Sequence, residues 1–179
     1  MATAKTIATK NPFALIQKVP SKWVGLKGKQ PNGFLIFDTT NNGLRAGWIN
    51  LHNTYFKRGR DTLKEIIPVY APDSVLPSGK NNYINYISSR YKIAPTKRIV
   101  SSQDIFNLGK GITEFEAGKP WISDAELIKA YNEARKSVAL PELKAGPQMA
   151  GGGILTALLA ASGLFYLYKN KWKLPKISN

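Results

Sequence analysis

The run Met149–Tyr168, MAGGGILTALLAASGLFYLY, holds no charged residue over 20 positions. An α-helix of that length spans about 30 Å, the hydrocarbon thickness of a bilayer. The run is therefore predicted to be one transmembrane helix. The other reading is a buried core helix or a hydrophobic hairpin packed on a domain, and such elements seldom stay uncharged for so long. Ile154, Leu155, Leu158, Leu159, Leu164 and Phe165 would face lipid. Tyr168, Lys169, Lys171, Trp172 and Lys173 follow as the membrane-interface set, because rings tolerate half-wet surroundings and ammonium groups reach phosphates. Gly153, Ala157 and Ala161 recur at every fourth residue. Small residues at that spacing permit close helix approach and a homo-oligomer, although Gly and Ala are common in membrane helices anyway. Residues 1–10, MATAKTIATK, lack the apolar segment of a cleavable signal. The expectation is a single-pass, C-terminal anchor inserted after synthesis or during assembly.

The rest of the chain divides around that anchor. Residues 139–148, ALPELKAGPQ, read as a short linker, with prolines and a glycine that oppose regular structure. Residues 1–10 read as a basic arm, residues 169–179 as a basic tail, and residues 11–138 as the folded domain. Lys and Arg number 26 against 11 Asp and Glu, a formal charge of +15. That charge implies an anionic neighbour: nucleic acid, lipid headgroups or a cell-wall polymer. Lys169, Lys171, Lys173 and Lys176 suffice for non-specific contact of the tail with DNA phosphates. Cysteine is absent, which excludes disulfide scaffolds, thiolate metal sites and thiol nucleophiles. His52 is the sole histidine, so a metal site would need carboxylates around one imidazole and a Ser-His-Asp site would depend wholly on it; an ordinary surface or core histidine is expected instead, with no metal and no cofactor.

Residues 11–138 carry mostly helical signals. Phe13–Ile16, Trp23–Leu26 and Phe34–Phe37 are short apolar runs that suit strands or buried loops. Leu44, Trp48, Leu51 and Tyr55 recur at helical spacing after Gly43. Thr62 with Glu65 and Ser123 with Glu126 are capping boxes that open helices, and Pro68 should end or kink the first of these. Asn81 or Asn82 is expected to cap a helix carrying Ile84, Ile87 and Tyr91. Ile105, Leu108, Ile112 and Phe115 form another face, closed by Gly118. Leu127, Tyr131, Ala134 and Val138 continue the last helix. The fold class is mainly α, in the α+β sense of a helical domain with a minor β or loop layer.

The order of these signals resembles a phage family of virion-associated, lysozyme-like proteins. The residues that carry the resemblance are Asn11-Pro12, Trp23-x-Gly25, Gly43-Leu44-Arg45-Ala46, Tyr55-x-x-Arg58-Gly59, Thr62-Leu63 with Ile66-Ile67, Tyr70-Ala71-Pro72, Asn81 with Tyr86-Ile87, and Ile112-x-x-x-Glu116-x-Gly118. The likeness covers about residues 11–118 and lies in the fixed order of the motifs. It implies a small lysozyme-like helical domain and a peptidoglycan hydrolase or lytic transglycosylase. It also implies a membrane-containing bacteriophage virion, with the host membrane as the site before assembly. The sequence departs from the family pattern in two places. The opening N-P-G-N-I/L-R has become Asn11-Pro12-Phe13-Ala14-Leu15-Ile16, and Lys80 stands where the family has Glu before Asn81.

Cleaving a glycan needs an acid that protonates the glycosidic oxygen, and hydrolases usually add a second carboxylate. A lytic transglycosylase can work with one, because a substrate hydroxyl attacks internally. The resemblance makes Glu116 the first catalytic candidate, and the alternative is a structural glutamate bonded to backbone or Arg45. Asp38 beside Phe37 is a second candidate, or else a turn residue. Arg45, Tyr83 and Tyr86 are candidate substrate-binding residues, as an anion-binding or sugar-stacking set, or else an internal pair and core aromatics. The departures favour a membrane-anchored virion structural protein that links the viral membrane to capsid or vertex proteins. The alternative is an active virion-associated lytic transglycosylase used to breach peptidoglycan during entry.

Overall fold

The computed structural model describes residues 3–16, 22–71 and 80–143. The predicted anchor 149–168, with its membrane and interface residues, lies outside the described residues, as do the tail and residues 144–148 of the linker. No helix among the described residues is long and apolar enough to cross a membrane.

The described part is mainly helical, with six α-helices and a two-stranded antiparallel sheet. Helix α1, Thr3–Ala8, lies within the stretch expected to be a basic arm and packs against the helix at 102–117. Strands β1, Leu26–Lys29, and β2, Leu35–Phe37, form a hairpin, and Ile16 bridges to Phe34. Each of the three apolar runs thus contributes to strand pairing, the second through Leu26 alone, with Trp23–Gly25 forming the approach to β1. Helix α2, Thr40–Thr54, starts three residues before Gly43, because Thr39 accepts the Asn42 N–H and caps it. Its predicted face is the core: Leu44, Trp48 and Leu51 are fully buried and Tyr55 closes its end.

Both capping boxes are present. Thr62 and Glu65 open helix α3, Leu63–Tyr70, which continues two residues past Pro68. Ser123 and Glu126 open α6, Asp124–Arg135. Val138 falls beyond that helix, although Ser137 and Val138 still bond back to Ala134. Helix α4, Lys80–Tyr91, includes Asn81 and Asn82 in its first turn, so neither is its cap. Helix α5, Ser102–Ala117, is stopped by Gly118 at φ +70°, a left-handed conformation that glycine adopts without penalty.

Trp48 is the hub of the core. It meets Phe13 edge-on at 5.3 Å, Tyr131 edge-on at 5.0 Å and Phe106 in a near-parallel stack at 6.1 Å. Two glycines make these approaches possible. A Cβ on Gly109 would stand 2.0 Å from the Trp48 ring, and one on Gly47 would stand 1.9 Å from Phe13. The fold extends to the start of the predicted linker, since Leu140 is buried and Tyr131 donates to the Pro141 carbonyl at 2.8 Å.

Candidate active site

Helices α4 and α5 pack side by side, and the last turn of α5 presents two glutamates in different surroundings. Phe115 separates them. Its ring stacks on Tyr83 at 3.8 Å and meets Tyr86 edge-on at 5.6 Å. Residues 114 and 116 sit two apart on a helix, so they point to nearly opposite sides of that aromatic wall.

Glu116 is half-buried, and the Tyr83 hydroxyl donates to its Oε1 at 3.0 Å. Burial pushes its carboxyl up to about 7, against the weaker downward pull of the Tyr83 hydrogen bond. No ion pair joins it to a cation among the described residues. Tyr83 leads into a ladder of phenols. It meets Tyr70 edge-on at 6.2 Å, and Tyr70 meets Tyr55 at 6.1 Å, with the Tyr70 hydroxyl donating to the Phe13 carbonyl. Burial first and the Glu116 charge second raise the Tyr70 and Tyr83 phenols well above the ordinary range. Both are neutral hydrogen-bond donors at any physiological pH.

Glu114 is buried, and its Oε2 accepts from Arg90 Nε at 2.6 Å, Tyr91 at 2.7 Å and Tyr86 at 3.0 Å. A carboxylate oxygen held by a guanidinium and two phenols is committed as an acceptor.

The other candidates lie elsewhere. Asp38 sits at the corner between β2 and α2. Its Oδ1 accepts from Asn42 at 2.8 Å, which holds its carboxyl below the usual range and leaves it a helix-entry acceptor. Arg45 donates to Ser137 at 2.7 Å, joining α2 to the turn after α6, and is not a partner of Glu116. Tyr83 has no exposed ring face, so stacking on a sugar is closed to it, and its hydroxyl alone reaches the site. The Tyr86 hydroxyl serves Glu114. Among the described residues no group of His, Asp and Glu could hold a metal ion.

At the far end of the ladder lies a cavity of about 280 Å³, whose lining includes Phe13, Leu15, Leu35, Asn50, Tyr55 and Tyr70. Sequence reasoning missed it because its walls come from five separate segments. It also missed Glu114, whose three partners lie 23 to 28 residues away on α4. The available signal was Tyr86 and Arg90 at i and i+4, one helix face carrying a phenol and a cation.

No protein-family model matches this chain, and comparison with curated proteins finds no similar sequence.

Proposed function

We propose that the chain is a membrane-anchored virion protein whose lysozyme-like domain cleaves peptidoglycan as a lytic transglycosylase, with Glu116 as its acid. The observation that carries this reading is the Glu116 carboxyl near pH 7, held by one phenol and paired with no cation among the described residues. A proton donor works best when its own pKa lies near the working pH. Glu116 would protonate the glycosidic oxygen as the C1–O bond breaks. The carboxylate left behind would take the proton of the sugar's own hydroxyl as that oxygen attacks C1, which closes an anhydro ring and restores the acid. Such a step needs one carboxylic acid. That suits a site in which Glu114 is committed to Arg90 and Asp38 to Asn42. The order of sequence motifs supports the lysozyme-like and virion parts of the proposal, and the uncharged run 149–168 supports the anchor.

The second reading keeps the anchor and removes the chemistry, leaving a link between viral membrane and capsid. It is favoured by the opening loop, where Asn11 is fully buried and bonded to Leu15 and Leu35. A loop whose polar residue is satisfied internally has no need of substrate.

A zymogram on bacterial sacculi with the full-length protein in mild detergent separates the two. Wild type is expected to clear, and Glu116→Gln to lose clearing by about 100-fold or more while its melting temperature near pH 4.5 stays put. Equal clearing by both proteins removes Glu116 from the chemistry, and no clearing by wild type leaves the linking role.

A further inference from the structure

The entry to α3 and the loop between α4 and α5 together build a strongly basic patch. Lys57 and Arg58 lie on one turn of 3₁₀ helix, Phe56–Arg58, and Arg60 and Lys64 follow it. Lys97 and Arg98 come from the loop. Two contacts stitch the segments together. Arg98 Nη2 pairs with Asp61 Oδ2 at 2.6 Å, and the Lys64 N–H donates to the Pro95 carbonyl at 3.1 Å. The local acids are each engaged: Asp61 by Arg98, Glu65 by its capping box and Asp104 by Lys97. Six basic side chains thus stand against three acids, a local surplus of positive charge. Lys57, Arg58, Lys64, Lys97 and Arg98 are all exposed.

A depression of about 330 Å³ opens in this patch, lined by Lys57, Arg98, Val100 and the segment Ala139–Pro141 among others. Val100 is 62% exposed, more than any other large apolar side chain among the described residues. An aliphatic group standing out among cations suits a lipid interface, where phosphates meet the cations and the aliphatic group reaches below them. A nucleic-acid backbone would engage the cations and leave Val100 in water. Chain length gives an independent argument. Pro141 is eight residues before Met149, where the uncharged run begins. Eight residues reach at most about 28 Å when fully extended. With that run in a bilayer, the wall of the depression is tethered within that distance of it, which gives the patch a high effective concentration at the lipid surface.

We propose that this patch docks on the anionic surface of the bilayer that holds the chain, with Lys57, Arg58, Arg60, Lys64 and Arg98 against lipid phosphates and Val100 among the headgroups. The inference rests on the anchored reading of residues 149–168 and adds a second membrane contact, made by the folded domain. A single anchor leaves a domain free to turn on its linker, whereas a second contact fixes which side faces the lipid. The docking is selective by charge. A bilayer rich in anionic headgroups holds the patch, and a zwitterionic one gives the cations little to bind.

Fluorescence quenching on the full-length protein in liposomes tests it. The chain has no cysteine, so Val100→Cys takes a single environment-sensitive fluorophore. The liposomes are phosphatidylcholine alone or phosphatidylcholine with phosphatidylglycerol at about 3:1, each doped with a lipid carrying a nitroxide on its headgroup. Quenching of the Val100 label is expected to be at least about threefold stronger in the anionic liposomes. Raising the salt to about 0.5 M should remove that difference without any change to the protein. Lys57→Glu with Arg58→Glu, at two exposed positions, should remove it at low salt while the melting temperature holds. Equal quenching in both lipids, quenching in neither, or indifference to both salt and charge reversal overturns the proposal. So does label emission that shifts with a DNA duplex and not with anionic lipid, which assigns the patch to nucleic acid. A second label at Ala161→Cys, read with an acyl-chain nitroxide, reports the anchor separately. Quenching at Ala161 with none at Val100 removes the docking patch and leaves the anchor, and the reverse removes the anchor and leaves the patch.

Discussion

Glu114 and Glu116 lie on the same turn of α5, two residues apart, on opposite sides of Phe115. On one side, Arg90, Tyr86 and Tyr91 converge on a single carboxylate oxygen, and Arg90, itself half-exposed, rises above its ordinary range through that contact. On the other side, burial acts with one phenol and no charge to offset it, and the carboxyl rises to about 7. A helix turn supplies the same backbone to both residues. The difference comes from α4, which places Tyr86, Arg90 and Tyr91 against one side and Tyr83 against the other. Charge partners make a glutamate structural, whereas desolvation without them makes it an acid near neutrality.

The largest effect on stability is expected at Glu114. Glu114→Ala leaves a guanidinium and two phenols facing the space where a carboxylate stood. Removing one member of a buried charged cluster costs about 3–5 kcal/mol, and the half-exposed Arg90 can turn to water, which places this case near 3 kcal/mol. Chemical denaturation of the wild type and the variant measures it. A loss below about 1 kcal/mol would mean that the two glutamates do not differ as described.

How much of this contrast is legible in the sequence depends on the range of each interaction. Local signals are legible. The Thr62–Glu65 and Ser123–Glu126 boxes, the Gly118 stop and the Leu44–Trp48–Leu51–Tyr55 face are each set within one or two turns, and each occurs as expected. Helix α1 escapes detection because TAKTIA has only Ile7 as a large apolar residue, and α1 is held by α5 more than by its own pattern. Asn81 and Asn82 are good caps in isolation, yet the helix begins before them. Glu116 stands out by motif position, and its neighbours Phe115 and Ala117 announce a buried setting. The role of the phenol that holds it is not legible in the same way. Tyr83 has the look of a sugar-stacking residue, but its ring is core and only its hydroxyl reaches the carboxyl. Glu114 has no local signal of its own, because its three bonds all come from another helix, where Tyr86 and Arg90 at i and i+4 are the one hint.

The pH dependence of stability offers a second way to sharpen the contrast. The Glu116 pKa is raised from 4.5 to about 7 in the folded protein. Between those values the folded state keeps a proton that the unfolded chain releases, so stability falls as pH rises through the window and levels off above 7. The loss is at most about 3 kcal/mol over the whole window. Glutamine does not titrate. Glu116→Gln should therefore match wild type near pH 4.5 and exceed it in thermal stability at pH 8. Parallel melting curves at pH 5, 6, 7 and 8 check this, and a constant offset between the two proteins would place the Glu116 pKa at its ordinary value.

The smallest effects come from removing single phenol hydroxyls, and here the two sides should differ in kind. Tyr86→Phe removes one of three donors to Glu114 and leaves Arg90 and Tyr91 in place. A net hydrogen bond to a charged group is worth about 1 kcal/mol or slightly more, and Tyr86 is partly exposed, so a loss near 1 kcal/mol is expected at every pH between 5 and 8. Tyr83→Phe removes the one described donor to Glu116 while its ring keeps the stack on Phe115. Below the Glu116 pKa the carboxylic acid is neutral, so the lost bond is the weaker kind and the cost is a few tenths of a kcal/mol. Above it the carboxylate is left with burial and no donor, and the cost grows. The missing bond was the only influence pulling that pKa down, so its removal also raises the Glu116 carboxyl further. Tyr83→Phe is therefore expected to show a pH-dependent destabilisation where Tyr86→Phe shows a flat one. The same Tyr83→Phe should move the alkaline limb of any clearing activity to higher pH. If both variants lose the same stability at every pH, the two glutamates share one environment, and Glu116 has no special claim to be the acid.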